Sequence, residues 1–231
     1  MNKFNVKILA TGSYVPEKIL TNSDLEKMVD TSDQWITERT GIKERRIIGK
    51  NQNLSDLAFE ASKKAIEKSK ISINDIDIII VATVSGDMPF PATACTLQKK
   101  LGSNAVAFDI SAACSGFMYG LSIAKSFIES GAYKTVLLVG GEVLTRITDW
   151  TDRNTCVLFG DGAGAMVLQA SETEKDVLSV HLGADGTYTN LLNMPAGGTA
   201  MPTTHETVEN KLHYIKMSGK EVFKIAVVKM A

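Results

Sequence analysis

The segment 109–117 (DISAACSGF) constrains the fold of this chain more than any other part of the sequence. An apolar stretch over 105–110, which predicts a buried strand, leads into it. Apolar residues at helical spacing follow it as far as Gly131, which places Cys114 at a junction between a strand and a helix. Small neighbours let a carbonyl group approach the sulfur, and the free N–H groups of a helix N-terminus stabilise a thiolate. The position suits a nucleophile, but most free cysteines are small buried hydrophobic residues, so both interpretations stay open at this point.

The rest of the chain alternates between helix and strand signals. Helical spacing predicts helices over 55–69, 93–101, 114–131 and 218–231. Apolar runs predict strands over 1–10, 76–83, 105–110, 135–140, 157–159, 165–168 and 177–182. We expect a glycine-rich bend at 160–164 and a long surface loop over 183–210. Strands that alternate with helices predict an α/β fold with a mostly parallel sheet.

Composition excludes several classes of function. The 231 residues carry 25 basic and 26 acidic side chains, so neither a nucleic acid nor a membrane surface is an expected partner. No apolar run reaches the roughly 18 residues of a membrane-spanning helix. The three cysteines, Cys95, Cys114 and Cys156, are too far apart for a zinc site or a disulfide framework, which fits a reducing cytoplasm.

Two other features give weak functional signals. The cluster 160–164 (GDGAG) has neither the spacing of a dinucleotide-binding fingerprint nor the lysine of a P-loop, which disfavours a nucleotide-dependent oxidoreductase. None of His181, His205 and His213 lies in a context that predicts a catalytic base.

Seven segments together resemble β-ketoacyl-[acyl-carrier-protein] synthase III, and the resemblance covers essentially the whole chain. They are 11–16 (TGSYVP), 33–42 (DQWITERTGI), 90–91 (FP), 109–117, 159–165 (FGDGAGA), 184–186 (ADG) and 219–223 (GKEVF). The resemblance implies a thiolase-type fold with α/β/α/β/α layers. In this fold residues 1–170 would form the half that carries the nucleophile, and residues 171–231 would begin the second half.

The same resemblance implies an acyltransferase that initiates type II fatty-acid synthesis. Cys114 would take an acetyl group from acetyl-coenzyme A and pass it to malonyl-acyl carrier protein in a decarboxylative condensation. No cofactor beyond the coenzyme A thioester and no metal is implied, and the complete protein is expected to be a cytoplasmic homodimer.

Matching positions give further site residues. The resemblance assigns coenzyme A binding to Trp35, Arg39, Thr40, Arg153, Met217, Gly219 and Phe223. It assigns the acyl pocket to Leu144, Phe159, Leu192 and, from a partner subunit, Phe90. Lys224 matches a basic position that meets the carrier protein, and Asn154 stands where glycine is common in the family.

Two catalytic segments of the family do not occur in this sequence, namely a His-Gln-Ala-Asn type segment and a His-Gly-Asn type segment. The last helix has an apolar face (Val222, Phe223, Ala226, Val227, Met230) and no capping residue, so we expect an incomplete second half and loss of the condensation step. Two alternatives remain open. One is a related starter synthase of secondary metabolism, and the other is a non-catalytic truncated subunit that binds coenzyme A or a full-length partner.

Overall fold

The computed structural model describes residues 3–230, except the side chain of Met230. Met1 and Asn2 of the predicted first strand, and Ala231 of the predicted last helix, lie outside the described residues. The described strands are β1 (Asn5–Tyr14), β2 (Lys18–Thr21), β3 (Glu44–Ile47), β4 (Ile78–Ala82), β5 (Val106–Ile110), β6 (Thr135–Val143), β7 (Asp161–Ser171), β8 (Leu192–Asn193) and β9 (Lys216–Met217). The described α-helices are α1 (Asn22–Leu25), α2 (Asp33–Thr40), α3 (Leu54–Ser69), α4 (Thr93–Leu101), α5 (Gly116–Ser130), α6 (Arg153–Cys156), α7 (His205–Glu209) and α8 (Gly219–Met230).

The chain forms two compact units. The first contains the chain up to Lys18, Ile48–Val143 and Asp161–Leu182, and the second contains Ile19–Ile47, Leu144–Gly160 and the chain from Gly183 onward.

The first unit is built on a five-stranded sheet of order β1-β7-β6-β4-β5. Strand β4 is parallel to β5 and β6, whereas β7 is antiparallel to β1 and β6, so the sheet is mixed, with four strands pointing one way and β7 the other. The reason is the connections. Helices α4 and α5 lie in the connections between the parallel strands β4, β5 and β6, whereas the connection from β6 to β7 has no α-helix longer than the four-residue α6.

Helices cover both faces of this sheet. In β4, Ile79 and Val81 pack with the side chains of α3 and α4, whereas Ile78 and Ile80 pack with those of α5. All five residues of β4 are buried, as the continuous apolar run predicts. Strand β5, in contrast, is an edge strand with Val106 50% exposed, so the prediction that this strand is buried is wrong.

The glycine cluster does not form the predicted bend. Residues 161–171 are one continuous strand, β7, between β1 and β6, and no strand forms over 157–159. The close approach in this region comes from a glycine of the neighbouring strand, because a Cβ at Gly141 of β6 would lie 3.0 Å from the Cβ of Ala163 on β7. The predicted strand over 177–182 is also absent, although Val177 is buried with the α5 core.

The second unit has its own small core of Leu25, Ile36, Cys156 and Val157. Buried Arg45 completes it, since its guanidinium donates to the Val157 carbonyl and, at 2.6 Å, to Asn22 Oδ1. Burial lowers the pKa of Arg45. Strands β8 and β9 pair in antiparallel register and helix α7 is capped by Thr204, so the predicted loop over 183–210 contains regular structure. No helix among the described residues is long and apolar enough to cross a membrane.

Candidate active site

Cys114 lies between β5 and α5, as the sequence predicts. It occupies a single 3-10 turn, Ala113–Ser115, and α5 begins two residues later at Gly116. Cys114 is exposed, whereas Cys95 is half-buried and Cys156 is buried, and burial raises the pKa of Cys156. Of the three free thiols, Cys114 is therefore the one that a dissolved substrate reaches directly.

The backbone beside Cys114 adopts an uncommon conformation. Ala113 has φ = +45°, in the left-handed region that costs a residue with a Cβ about 1–2 kcal/mol. The turn is closed by a 3.1 Å hydrogen bond from the N–H of Ser115 to the carbonyl of Ala112. Strained backbone at a reactive residue is a recurrent feature of functional sites.

The end of β4 holds the Cys114 segment from both sides. The N–H of Thr83 donates to the carbonyl of Ile110 at 3.1 Å, just before the segment. Just after it, α5 begins so close to β4 that a Cβ at Gly116 would lie 3.2 Å from the Cβ of Ala82. The thiol is thus carried on a short span that is fixed at each end.

Two carboxylates stabilise the surroundings of this span, and the sequence analysis did not single them out. Asp109 of β5 accepts from the N–H groups of Thr93 and Ala94 at the start of α4. Glu142 of β6 accepts from the N–H of Val84 and from nearby hydroxyl groups. A lone acidic residue within or at the end of an otherwise apolar strand is the signal that could have revealed both.

In the second unit, Trp35 contacts two of the arginines predicted to bind coenzyme A. The guanidinium carbons of Arg39 and Arg153 lie 4.9 Å and 4.7 Å from the indole centroid, within the range of cation–π attraction. Arg153 also lies 3.7 Å from a carboxylate oxygen of Asp30. The hydroxyl of Thr40 is used locally, because it donates to the carbonyl of Ile36 and accepts from the N–H of Ile42.

Other predicted site residues of this unit are also neighbours. Leu192 and Met217 are directly paired in the β8–β9 register, and the Met217 Cε lies 3.5 Å from where a Cβ of Gly219 would be. Phe223 and Lys224 are exposed on α8, with Phe223 69% exposed. Leu144 and Phe159 are half-buried.

Two further positions were singled out by the sequence. Phe90 of the first unit is 84% exposed, just before α4. Asn154, the departure from the family pattern, donates from its side-chain amide to Asp152 at 3.0 Å at the start of α6. Within residues 3–230, no group of three or more His, Cys, Asp or Glu side chains has an arrangement that could hold a metal ion.

Comparison with known proteins gives this geometry its context. A family model described as 3-oxoacyl-[acyl-carrier-protein (ACP)] synthase III matches residues 108–186. A β-ketoacyl-[acyl-carrier-protein] synthase III of Caldanaerobacter subterraneus is 62% identical over 226 residues, which cover 97% of this chain and 68% of the relative. One from Natranaerobius thermophilus is 58% identical over 96% of this chain and 69% of the relative.

Solved structures show the same likeness. The crystal structure of 3-oxoacyl-[acyl-carrier-protein] synthase III from Aquifex aeolicus superposes with a TM-score of 0.86 at 47% identity, over 96% of this chain and 67% of that one. The priming β-ketosynthase of the R1128 polyketide pathway gives a TM-score of 0.86 at 32% identity, over 99% of this chain and 68% of that one.

These likenesses confirm the predicted α/β fold of the thiolase type, and they define the chain as an acyltransferase of the condensing class. It spans about two thirds of the length of its curated relatives. At 62% identity over that span, the chain belongs to the β-ketoacyl-[acyl-carrier-protein] synthase III family.

Proposed function

We propose that Cys114 is the acyl acceptor in the synthase III reaction that initiates fatty-acid synthesis. The observation that carries this assignment is the exposed thiol at the start of α5, on a span fixed at both ends. The sulfur attacks the thioester carbonyl of acetyl-coenzyme A and forms a new C–S bond. The bond to the coenzyme breaks, and coenzyme A leaves with the thiol proton. The backbone N–H of Cys114 itself would form part of the oxyanion hole for this step.

We propose that Trp35, Arg39 and Arg153 bind the nucleotide end of coenzyme A. The indole offers a stacking face for adenine, and guanidinium groups pair with phosphates in a bidentate manner. Arg153 now lies 4.7 Å from the ring centroid, so an adenine between the two side chains would require them to separate by one ring thickness. We assign Thr40 to the same site, and Met217, Gly219 and Phe223 to the pantetheine arm.

In the family's second half-reaction, for which this sequence lacks the His-Gln-Ala-Asn and His-Gly-Asn type segments, malonyl-acyl carrier protein loses carbon dioxide, and its carbanion attacks the acyl carbonyl on the cysteine. A 3-oxoacyl product forms and the thiolate is released. We assign the acyl pocket to Leu144, Phe159, Leu192 and, across a homodimer, Phe90. Lys224 is an exposed cation suited to the acidic carrier protein. No cofactor beyond the thioester is needed for this chemistry, and a reducing cytoplasm keeps the thiol available.

The test is intact-mass analysis of the chain after incubation with acetyl-coenzyme A. We expect one acetyl group on the wild-type chain, none on Cys114→Ser, and one on Cys95→Ser, which removes another thiol as a matched control. Acetylation that persists in Cys114→Ser, or a folded wild-type chain that takes no acetyl group, would contradict the assignment.

The acyl donor that Cys114 prefers also distinguishes a synthase III of fatty-acid synthesis from a related starter synthase. A priming synthase of secondary metabolism is favoured if Cys114 loads a longer acyl donor faster than acetyl-coenzyme A. A folded, dimeric chain that binds coenzyme A without loading favours the non-catalytic subunit.

A further inference from the structure

A half-buried carboxylate lies near the Cys114 segment, and the reaction as proposed does not use it. Glu142, near the C-terminal end of β6, accepts hydrogen bonds from the N–H of Val84 at 3.0 Å and from the hydroxyl of Thr83 at 3.2 Å. The hydroxyl of Ser85 also donates to it. Glu142 takes part in none of the ion pairs found among residues 3–230, so its charge is balanced by hydrogen-bond donors alone.

These hydrogen bonds belong to a closed network at the end of β4. The hydroxyl of Ser85 accepts from the N–H of Val143 at 2.8 Å, and the hydroxyl of Thr83 accepts from the N–H of Ser85 at 3.0 Å. The turn 83–85 is therefore bound to β6 through both the side chain of Glu142 and the backbone of the next residue. Burial raises the pKa of Glu142, and the donors from the turn oppose that shift. A carboxylate that is partly removed from water and stabilised by several hydrogen-bond donors holds those donors in a fixed geometry.

The same turn fixes the segment that carries the thiol. Thr83, which binds Glu142 through its hydroxyl, binds the carbonyl of Ile110 through its N–H. Strand β6 also approaches α5 directly, since a Cβ at Gly140 would lie 2.9 Å from the ring of Phe117. The first contact reaches the backbone of Ile110, four residues before Cys114, and the second reaches the side chain of Phe117, three residues after it.

We propose that Glu142 is a positioning residue for Cys114, because its carboxylate holds the turn 83–85, which in turn fixes the backbone that presents the thiol. The inference depends on the proposed function only in taking Cys114 as the reactive group. It assigns Glu142 no proton transfer and no contact with substrate.

The test measures the rate at which iodoacetamide alkylates Cys114, followed by peptide mass, because this reaction needs no coenzyme A site. We expect Glu142→Ala to lower that rate several-fold, because the released segment no longer holds the sulfur at the start of α5, where a helix N-terminus favours the anionic nucleophile. Glu142→Gln keeps the side-chain shape and one carbonyl acceptor, so it should restore most of the rate. Ser85→Ala removes the hydroxyl that bridges Glu142 and Val143 and should also lower the rate.

Two controls separate positioning from general loss of stability. Ile128→Val weakens the core at the far end of α5 and should lower Tm without changing the alkylation rate. Glu129→Gln removes a carboxylate that pairs with Lys125, also far from the thiol, and should leave the rate unchanged. The proposal is overturned if folded Glu142→Ala alkylates at the wild-type rate, or if Ile128→Val slows alkylation as much for the same fall in Tm.

Further outcomes keep the two proposals distinct. If Glu142→Ala does not fold, Ser85→Ala decides, and a wild-type rate in that variant overturns the positioning role. In the acetylation assay, Glu142→Ala should slow loading at saturating acetyl-coenzyme A while the half-saturating concentration stays constant. A wild-type chain that alkylates but takes no acetyl group contradicts the proposed function, while the alkylation series still tests Glu142.

Discussion

The carboxylate of Asp109 accepts a hydrogen bond from the backbone N–H of Thr93 at 2.6 Å, and a second from Ala94 at 2.7 Å. Helix α4 starts at Thr93, and its own N-cap residue, Ala92, provides no side-chain cap. Asp109 therefore caps α4 from the neighbouring strand β5. Because β5 continues into the Cys114 segment, one side chain ties the helix that follows Phe90 to the strand that leads to the thiol.

Replacing Asp109 tests this cap. We expect Asp109→Ala to lower the free energy of unfolding by about 1–2 kcal/mol, since two N–H groups of α4 lose their acceptor. Asp109→Asn keeps one acceptor oxygen and should lose roughly half as much. Urea unfolding measures both, with Glu67→Ala on the exposed side of α3 as a control that should stay within about 0.5 kcal/mol of wild type. A loss in Asp109→Ala no larger than in the control would show that the cap contributes nothing.

The contact between Arg153 and Trp35 predicts a specific loss of coenzyme A binding. Arg153→Lys keeps the charge but removes the planar guanidinium, so we expect affinity for coenzyme A to fall about tenfold. Isothermal titration calorimetry with coenzyme A measures this. Arg46→Lys, at a half-buried arginine paired with Glu44, is the matched control and should bind as wild type does. Equal affinities for both variants would remove Arg153 from the nucleotide site.

Much of the first unit could be predicted from periodicity. The buried run of β4 and the helical spacing of α3, α4 and α5 depend on residues close in sequence, and the structure has these elements where the sequence places them. The location of Cys114 between a strand and a helix follows from the same local signals. The family could be predicted because several segments occur in the expected order, whereas no single motif would have been sufficient.

The predictions that were wrong concern features that depend on residues distant in the sequence. The cluster 160–164 has the composition of a bend, but pairing with β1 and β6 draws Asp161 and the residues after it into one long strand. Apart from Asp109, strand β5 is as apolar as a central strand, and its position at the sheet edge is decided by topology. The partners of Glu142 come from a turn 57 to 59 residues away, so no local pattern could have predicted that network.

The left-handed conformation of Ala113 predicts an unusual response to glycine. An ordinary Ala→Gly change lowers stability by about 0.5–1 kcal/mol through the entropy of the unfolded chain. At φ = +45° the relief of strain should cancel that loss, so Ala113→Gly should be neutral or stabilising by up to about 1 kcal/mol. Urea unfolding tests this against Ala132→Gly, an exposed alanine that is not among the described residues with positive φ.

Ala113→Gly should also lower the reactivity of the Cys114 thiol, even though it does not lower the stability of the protein. Glycine widens the range of conformations of the turn 113–115, so the sulfur is held less firmly at the start of α5, where a helix N-terminus favours the anionic nucleophile. We therefore expect alkylation of Cys114 to slow several-fold although the protein is no less stable. A loss of stability in Ala113→Gly would contradict the strain at Ala113. An unchanged alkylation rate would show that the conformation of Ala113 has no positioning effect on the thiol.

Asp149 predicts a pH dependence of stability in the second unit. Its side chain is buried, and burial by itself would raise the pKa of the carboxyl, but hydrogen bonds from Thr151 and Lys211 outweigh burial and lower that pKa below 3.8. The carboxylate therefore adds stability above about pH 4, and that stability is lost as pH falls through the lowered pKa. Asp149→Asn should lower the free energy of unfolding by about 1–2 kcal/mol at pH 7, a modest value because the Lys211 side chain is 45% exposed. This difference from wild type should become progressively smaller toward pH 2. Urea unfolding across this pH range measures the difference.

Lys211→Met, which keeps the side-chain length without the charge, should move the acid-induced loss of stability to higher pH. Parallel stability curves for wild type and Asp149→Asn would refute the ionic role of Asp149.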